Sequence, residues 1–306
     1  MNEPKIFRVA TFNIRFDNNE VPATSVNKVS SNVTGETPWQ VRRVKVADTI
    51  LFHRIDLVGI QEALYNQIKD LELLLGSNWG WVGVGRNDGK KSGEFVPIFY
   101  NKNRLKLLDS KHFWLSENPD IPGSIGWDAA LTRVVTQARF QDLLTNSSFV
   151  WINTHFDHLG IKARLESSKL LLNHARKLAS SSSPTVKVFL SGDFNCEESS
   201  EAYKLLTGVN HQDIIKSNDQ KSITTMIFAD TRYEINGLKG GSFGFSNTFT
   251  GFSEGTKQER IDFILVDNIS ISTRAVEVIS HGVVSNLYDE MYISDHRPVI
   301  SDLLIR

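Results

Sequence analysis

The run Val188-Phe-Leu-Ser-Gly-Asp193-Phe-Asn195 is an apolar strand that breaks at glycine and then presents a carboxylate and a carboxamide two residues apart. On extended chain, residues two apart share a face. Asp193 and Asn195 can then orient and deprotonate a water while donating a hydrogen bond to a developing oxyanion, which is what in-line attack at phosphorus demands. Gly-Asp-x-Asn is also an ordinary turn sequence, so the pair gains meaning only from what accompanies it.

Other strand-like runs end in the same way. Asn13 closes Val9-Ala-Thr-Phe-Asn13, and Glu62 follows Leu57-Val-Gly-Ile-Gln61 ahead of a helical pattern. A carboxylate there suits a hard, oxygen-seeking cation such as Mg²⁺, which takes one or two protein carboxylates and otherwise water and phosphate oxygen. Taken alone, Glu62 reads as a helix N-terminal acid favoured by the macrodipole. Trp151-Ile-Asn-Thr-His-Phe-Asp-His158 ends in polar residues, with Asn153, His155 and Asp157 on one face by alternation and His158 on the other or in the turn. A lone histidine is more often a satisfied core residue than a catalyst; three polar residues facing one way are harder to set aside. Asp262 heads the run Asp262-Phe-Ile-Leu-Val266, and Ser294-Asp295-His296-Arg297-Pro298 precedes the last one. If Asp262 meets His296 in space, it would fix the ring tautomer and raise its basicity.

Placing these residues requires a strand-rich frame. Apolar runs rich in β-branched and aromatic residues predict strands at 7–14, 57–61, 97–100, 134–140, 149–154, 186–191, 261–266 and 298–304. Three- and four-residue apolar spacing predicts helices at 39–53, 65–75, 163–180 and 199–206. The class is mixed α/β (α+β), and open α/β folds carry their sites at strand ends and on loops. Residues 18–38 are polar and aperiodic and read as a loop insertion after the first strand; 216–233 gives no clear pattern, and the glycine-rich stretch 237–244 suits a turn. Without internal repeats, a separating linker or a heptad seam, one domain over 1–306 is expected.

Composition narrows the partners. The 306 residues are 40% hydrophobic and 23% charged, with 18 Phe and 6 Trp, as in a folded water-soluble protein. Lys plus Arg (34) nearly cancel Asp plus Glu (35), so no global positive field draws the chain to nucleic acid or anionic membrane. The single Cys196 excludes an internal disulfide framework and fits a reducing compartment. No secretory signal pattern and no membrane-span window are read, and no protein partner is expected; the location expected is intracellular, cytoplasmic or nuclear.

The ordered set Thr-Phe-Asn13, Gln-Glu62, Asn153-Thr-His155, Gly-Asp193-Phe-Asn195, Arg-Ile-Asp262 and Ser-Asp295-His296-Arg-Pro resembles the endonuclease/exonuclease/phosphatase superfamily, from residue 9 to residue 304. Trp39-Gln-Val-Arg-Arg43, Trp127-Asp-Ala-Ala-Leu-Thr-Arg133 and His158-Leu-Gly-Ile-Lys-Ala-Arg164 look like the branch near the deadenylase-like and nocturnin-like 3′–5′ exonucleases. The resemblance implies a DNase I-like four-layer sandwich, two packed mixed β-sheets flanked by helices, with the site at one sheet edge. It implies that Glu62 binds Mg²⁺ (Mn²⁺ as substitute) with Asn13 and Asp295 near it. Asp193 and Asn195 would address the attacking water and the phosphate, and His155 would contact phosphate or assist the leaving group. His296, paired with Asp262, would stabilise the transition state or act as base; which of Asp193 and His296 takes the proton, and whether one metal or two is bound, stay open.

Arg133 and Arg164, with Asn153, are candidate phosphate contacts, and Arg139 is a further one, because a guanidinium grips two oxygens at once. Arginines at such positions more often form surface ion pairs. Phe156, Phe194, Phe249 and Phe252 lie near the motifs and could stack a base, though core placement is the commoner outcome. The reading is a metal-dependent phosphoester hydrolase acting as a phosphodiesterase on RNA or DNA 3′ ends or nucleotides. The alternatives are a phosphatase or phosphodiesterase of a small molecule, such as a sugar phosphate or phospholipid head group, and a non-catalytic binding domain.

Overall fold

The computed structural model describes residues 5–18, 35–180, 186–208, 226–235, 241–253 and 255–306. The expected loop insertion at 18–38 and the unclear stretch 216–233 therefore lie mostly outside the described residues, as does half of the glycine-rich stretch.

Apolar runs buried on both faces form the centres of two mixed sheets. The first contains β1 (Phe7–Asn13), β2 (Leu57–Gln61), β3 (Trp79–Val82), β4 (Ile98–Asn101), β10 (Phe243–Gly244), β12 (Val276–Val283) and β15 (Val299–Ile305), in the order β10-β12-β15-β1-β2-β4-β3. The second contains β5 (Leu105–Trp114), β6 (Val134–Asp142), β7 (Ser148–His155), β8 (Lys187–Asp193), β9 (Phe228–Asp230) and β11 (Asp262–Asp267), in the order β5-β6-β7-β8-β11-β9. A short hairpin, β13 (Leu287–Tyr288) with β14 (Met291–Tyr292), lies before the last strand.

The sheets pack face to face through Phe7, Leu57, Phe140, Phe149, Trp151, Phe189, Ile264 and Leu303, all fully buried. Burying each such side chain contributes about 1.5–3 kcal/mol. Helices cover the outer faces. α1 (Trp39–Phe52) and α2 (Tyr65–Leu75) lay Trp39, Val46, Ile50, Ile68 and Leu71 on Phe12, Val58 and Ile60 of the first sheet. α3 (Ile161–Ser180) and α4 (Glu201–Thr207) lay Leu171, Leu172, Ala175, Tyr203 and Leu206 on Val150, Ile152 and Val188 of the second. A one-turn α5 (Asn268–Ser272) follows β11. The result is the four-layer sandwich, helices outside and two mixed sheets inside. The sheets approach closely at Gly59, where an added Cβ would lie 2.5 Å from Asn153 Oδ1 and 2.7 Å from Ser191 Oγ.

Strand direction decides what gathers at one edge. β1 and β2 are parallel and end together, Asn13 opposite Gln61, while β15 runs antiparallel to β1 and so begins at that edge just after Asp295 and His296. In the other sheet β7 and β8 are parallel, His155 opposite Asp193, and β11 starts antiparallel with Asp262 opposite Asp193. Every strand-end motif read from the sequence therefore converges on one edge of the sandwich.

Candidate functional site

Asn13 joins the two sheets. Its Nδ2 donates to Glu62 Oε1 (2.9 Å) on the first and to Asp193 Oδ2 (3.0 Å) on the second, and lies 3.4 Å from His296 Nε2. Asp193 Oδ2 is 3.5 Å from His155 Nε2 and 3.6 Å from His296 Nε2. His296 Nδ1 meets Asp262 Oδ2 at 2.8 Å, the contact that spacing alone left open. Glu62 also accepts from the Phe16 amide (3.2 Å), with the Arg15 guanidinium 3.8 Å away. Asn195 closes the other side: its amide N donates to Asp193 Oδ1 (2.9 Å), and its Nδ2 donates to Phe156 O (2.9 Å) and lies 2.9 Å from His155 Nε2. A carboxamide donating there makes Nε2 the acceptor and puts the ring proton on Nδ1, which faces Glu94 Oε2 at 3.9 Å.

Glu62 (φ 63°), Asn195 (φ 48°) and Arg15 (φ 58°) all stand in the left-handed region. Each costs about 1 kcal/mol or more in a non-glycine residue, and such strain concentrates where side chains must be aimed. Arg42 of α1 braces this arrangement from below. Fully buried, it donates to the carbonyls of Thr37 (3.0 Å), Arg15 (2.9 Å), Phe16 (3.0 Å), Ile293 (3.2 Å) and Ile14, tying the chain after Asn13 to the chain before Asp295.

The electrostatics follow from burying so many ionisable groups together. Burial and the charge of Asp262 push Asp193 up to about 7. Burial opposes the imidazolium of His296, but the charges of Asp262 and Asp193 outweigh it and carry the ring well above its ordinary value. His155 is held well below by burial and by the charges of Arg133 and Arg86. Burial also works against ionised Glu62, yet the Asn13 hydrogen bond and the charges of His296 and Arg15 leave its carboxyl below the usual range. Burial raises Asp295.

The donor set is mainly carboxylate oxygen, with one histidine nitrogen in each cluster. Glu62, His155 and Asp193 place ligand atoms within 4.8 Å of one another, as do Asp193, Asp262 and His296, and Asp262 Oδ1 is buried without a partner among the described residues. Carboxylate and carboxamide oxygens in this density fit a hard divalent cation. Such an edge can hold a cation, surround a phosphoryl group with donors and take a proton from water.

The remaining expected residues divide. Arg133 is buried against His155. Its Nε is 3.4 Å from Asp157 Oδ2, its Nη2 3.0 Å from His158 Nδ1, and its Nη1 has no partner among the described residues. Arg164 is half-buried in the first turn of α3 and donates to Asp157 O (2.9 Å), holding the turn that follows His155. Asn153 corrects its expectation of phosphate contact: it lies in the interior, donating to Ile60 O (2.8 Å) and Pro97 O (3.1 Å) and accepting from Gln61 (2.7 Å) and Ser191 (3.2 Å), so its carboxamide fastens the sheets together. Arg139 is likewise removed, paired with Asp109 (3.4 Å) and opposite Val150, five residues or about 17 Å along β7 from His155. Asp157 turns from the expected face to accept the amides of Ala130, Leu131, Leu159 and Gly160. Phe156 and Phe194 are core, stacked at 4.8 Å, whereas half-exposed Phe249 lies 5.1 Å from the His296 ring.

Two residues escaped the sequence reading. Arg86 and Glu94, bonded at 2.7 Å, line a crevice with Arg133 and His155, and burial with the charge of Glu62 pushes Glu94 up to about 7.

The chain matches the Endonuclease/Exonuclease/phosphatase family over residues 10–296. It is similar to an endonuclease/exonuclease/phosphatase from Bacteroides vulgatus (33% identity, TM-score 0.77, covering 99% of this chain and 100% of that one). It is also similar to a mannosyl-6-phosphatase from Bacteroides thetaiotaomicron (27% identity, TM-score 0.80, 98% and 100%). The human Nocturnin catalytic domain, at 18% identity and TM-score 0.63 over 99% and 96%, shares the fold. An uncharacterized protein of Acanthamoeba polyphaga mimivirus is 30% identical over 111 residues, 30% of this chain, and the match spans only 16% of that longer protein. No helix among the described residues is long and apolar enough to cross a membrane.

Proposed function

The chain belongs to the endonuclease/exonuclease/phosphatase family, and from that premise we propose that it is a divalent-metal-dependent phosphoester hydrolase whose phosphate sits between Asp193, Asn195, His155 and His296. The observation that carries this reading is the single atom Asp193 Oδ2, within 3.6 Å of both histidines and hydrogen-bonded to the Asn13 amide that also holds Glu62.

Glu62, with Asn13 and Asp295 beside it, is assigned to Mg²⁺, with Mn²⁺ as a substitute. When bound there the cation polarises a phosphoryl oxygen and offsets developing charge. The proton of the attacking water goes to the Asp193–His296 pair, and Asp262 fixes the His296 tautomer through the 2.8 Å bond to Nδ1. Substrate displaces the Asn195–His155 bond: Asn195 Nδ2 then donates to a phosphoryl oxygen, and neutral His155, its proton moved from Nδ1 to Nε2, donates to the phosphate or the leaving oxygen. The donor types needed for turnover are all in place, which disfavours a non-catalytic binding domain.

For substrate, the assignment is a small phosphomonoester such as a sugar phosphate. A monoester dianion carries more charge on its free oxygens than a diester, and the unpaired Arg133 Nη1 beside Arg86 supplies cationic donors next to His155. The likeness to a mannosyl-6-phosphatase supports the same choice. The second reading is a phosphodiesterase or 3′–5′ exonuclease acting on a nucleotide or an RNA or DNA 3′ end. Half-exposed Phe249 beside His296 favours it, because its ring could stack a base. Initial rates with p-nitrophenyl phosphate, bis(p-nitrophenyl) phosphate, hexose phosphates and short RNA decide between them. The monoester reading predicts the highest kcat/KM on monoesters; dominant release of nucleotides from RNA replaces it with the second reading, and no turnover on any of them with Mg²⁺ or Mn²⁺ removes both.

A further inference from the structure

A second cleft, of about 330 Å³, opens on the far side of Asp262. In the second sheet β8 is followed by β11 and then β9, so the loop after β9 stands two strand spacings, on the order of 10 Å, from Asp193. The chain after Asn195 forms one wall with Glu197 and Glu198; Arg232, just past β9, and Asn247 form the other; Arg260, two residues before Asp262, lies between them. The wall at Asn247 is bound to the catalytic edge, because Arg297, next to His296, donates to Asn247 O (3.0 Å).

The charges in this cleft cancel. Arg260, almost wholly buried, donates to Asp230 (2.9 Å) and to Glu198, and Arg232 donates to Ser246 O (3.0 Å). Two guanidiniums facing two glutamates select neither an anion nor a cation. They offer donors and acceptors side by side, which is what a polyhydroxy ligand uses, since each hydroxyl both gives and accepts a hydrogen bond. Tyr233 stands at the rim, outside the lining itself: the residue is 62% exposed, and its hydroxyl donates to Glu198 Oε2 of the lining at 2.7 Å, which fixes the side chain beside the opening. The volume is at the small end for ligand sites and admits a single small ring.

We infer that this cleft binds the neutral polyhydroxy part of the substrate remote from its phosphate, a sugar ring lying between Glu197 and Asn247 and covered at the rim by Tyr233, and so sets specificity for phosphorylated carbohydrate over simple alkyl or aryl phosphates. The inference rests on the monoester reading given above. The cleft is too distant to touch the reacting phosphate, so its contribution is to binding, and it leaves the proton transfers at Asp193 and His296 as they are.

Ligand-observed NMR on the full chain with unphosphorylated probes, methyl α-mannoside and a maltose-type disaccharide, tests the cleft without any turnover. Saturation transfer to at least one probe is expected for the unaltered chain and is expected to fall at least fivefold in Glu197→Ala and in Tyr233→Ala, two exposed positions whose replacement spares the core. In parallel, the ratio of kcat/KM for a phosphorylated disaccharide to that for p-nitrophenyl phosphate is expected to drop at least tenfold in both variants, mainly through KM. No transfer to either probe, or transfer and ratio unchanged in both folded variants, overturns the inference. Transfer that depends on Glu197 and Tyr233 in a protein without phosphatase turnover would uphold the cleft while sinking the monoester reading.

Discussion

Asp262→Asn isolates the charge behind His296. The two side chains are fully buried, 2.8 Å apart, and asparagine keeps the volume and one hydrogen-bonding oxygen while removing the negative charge. With charge centres about 4 Å apart and an effective dielectric near 20, the imidazolium loses roughly 4 kcal/mol of stabilisation. The imidazolium is already present in the resting protein, so the loss reaches the rate through deprotonation: roughly 4 kcal/mol weakens the ring's hold on its proton about 10³-fold, and kcat near pH 8 is expected to fall by up to about that factor, recovering as the pH is lowered. The assay is saturation kinetics on p-nitrophenyl phosphate with Mg²⁺, beside a thermal melt that shows the variant folded. KM is expected to change little, because Asp262 does not reach the phosphate. A folded variant with kcat near pH 8 within about threefold of the unaltered protein would refute the Asp262–His296 assignment.

Arg42→Ala leaves several buried carbonyls without their donor, at about 1–3 kcal/mol for each that water cannot reach. A loss of about 3 kcal/mol or more, a Tm lower by at least about 5 °C, is expected in calorimetry, and an unchanged Tm would contradict the bracing role. His281, buried between Thr231 and Ser301, is pushed down to about 3 by burial and by the charges of Arg260 and Arg232. The unfolded chain therefore binds the proton more readily, so this residue's contribution is intact above pH 6.5 and is lost as pH falls toward 3. Between pH 7 and pH 5 that is about 2 kcal/mol in urea unfolding, and His281→Gln should show a correspondingly shallower acid slope; equal slopes would contradict it. Arg133→Met should cut kcat/KM on p-nitrophenyl phosphate at least tenfold more than on bis(p-nitrophenyl) phosphate, and equal losses would remove the arginine from the monoester argument.

The central strands and the four longer helices were legible because both-face burial forces continuous apolar runs and one-face burial forces helical spacing. β3 and β5 were not, because they are edge strands: Lys106, Ser110 and Lys111 face solvent, and polar residues hide the pattern. β12, Val276-Glu-Val-Ile-Ser-His-Gly-Val283, is interrupted by a bulge between Val278 and Ser280 that breaks its alternation. At the candidate site, strand-end placement was readable for Asn13, Glu62, His155, Asp193, Asp262 and His296, since chain direction alone brings them to one edge. Asn153 misled because strand alternation gives a face without saying whether that face meets ligand or the opposing sheet; Gly59, whose missing side chain makes room for it, lies 94 positions away. Arg86 and Glu94 depend on how the loop ahead of β4 folds back over His155, a long-range contact that local pattern does not encode.

The proposed hydrolysis depends on a divalent cation at the carboxylate edge around Glu62 and Asp193. Protein treated with EDTA, dialysed and titrated with Mg²⁺ while p-nitrophenyl phosphate turnover is followed, beside Glu62→Gln, tests it directly. Turnover is expected to be abolished by EDTA and restored by Mg²⁺, with a midpoint for restoration at least tenfold higher in Glu62→Gln. Full turnover after metal removal, or the same Mg²⁺ midpoint in both proteins, would contradict it.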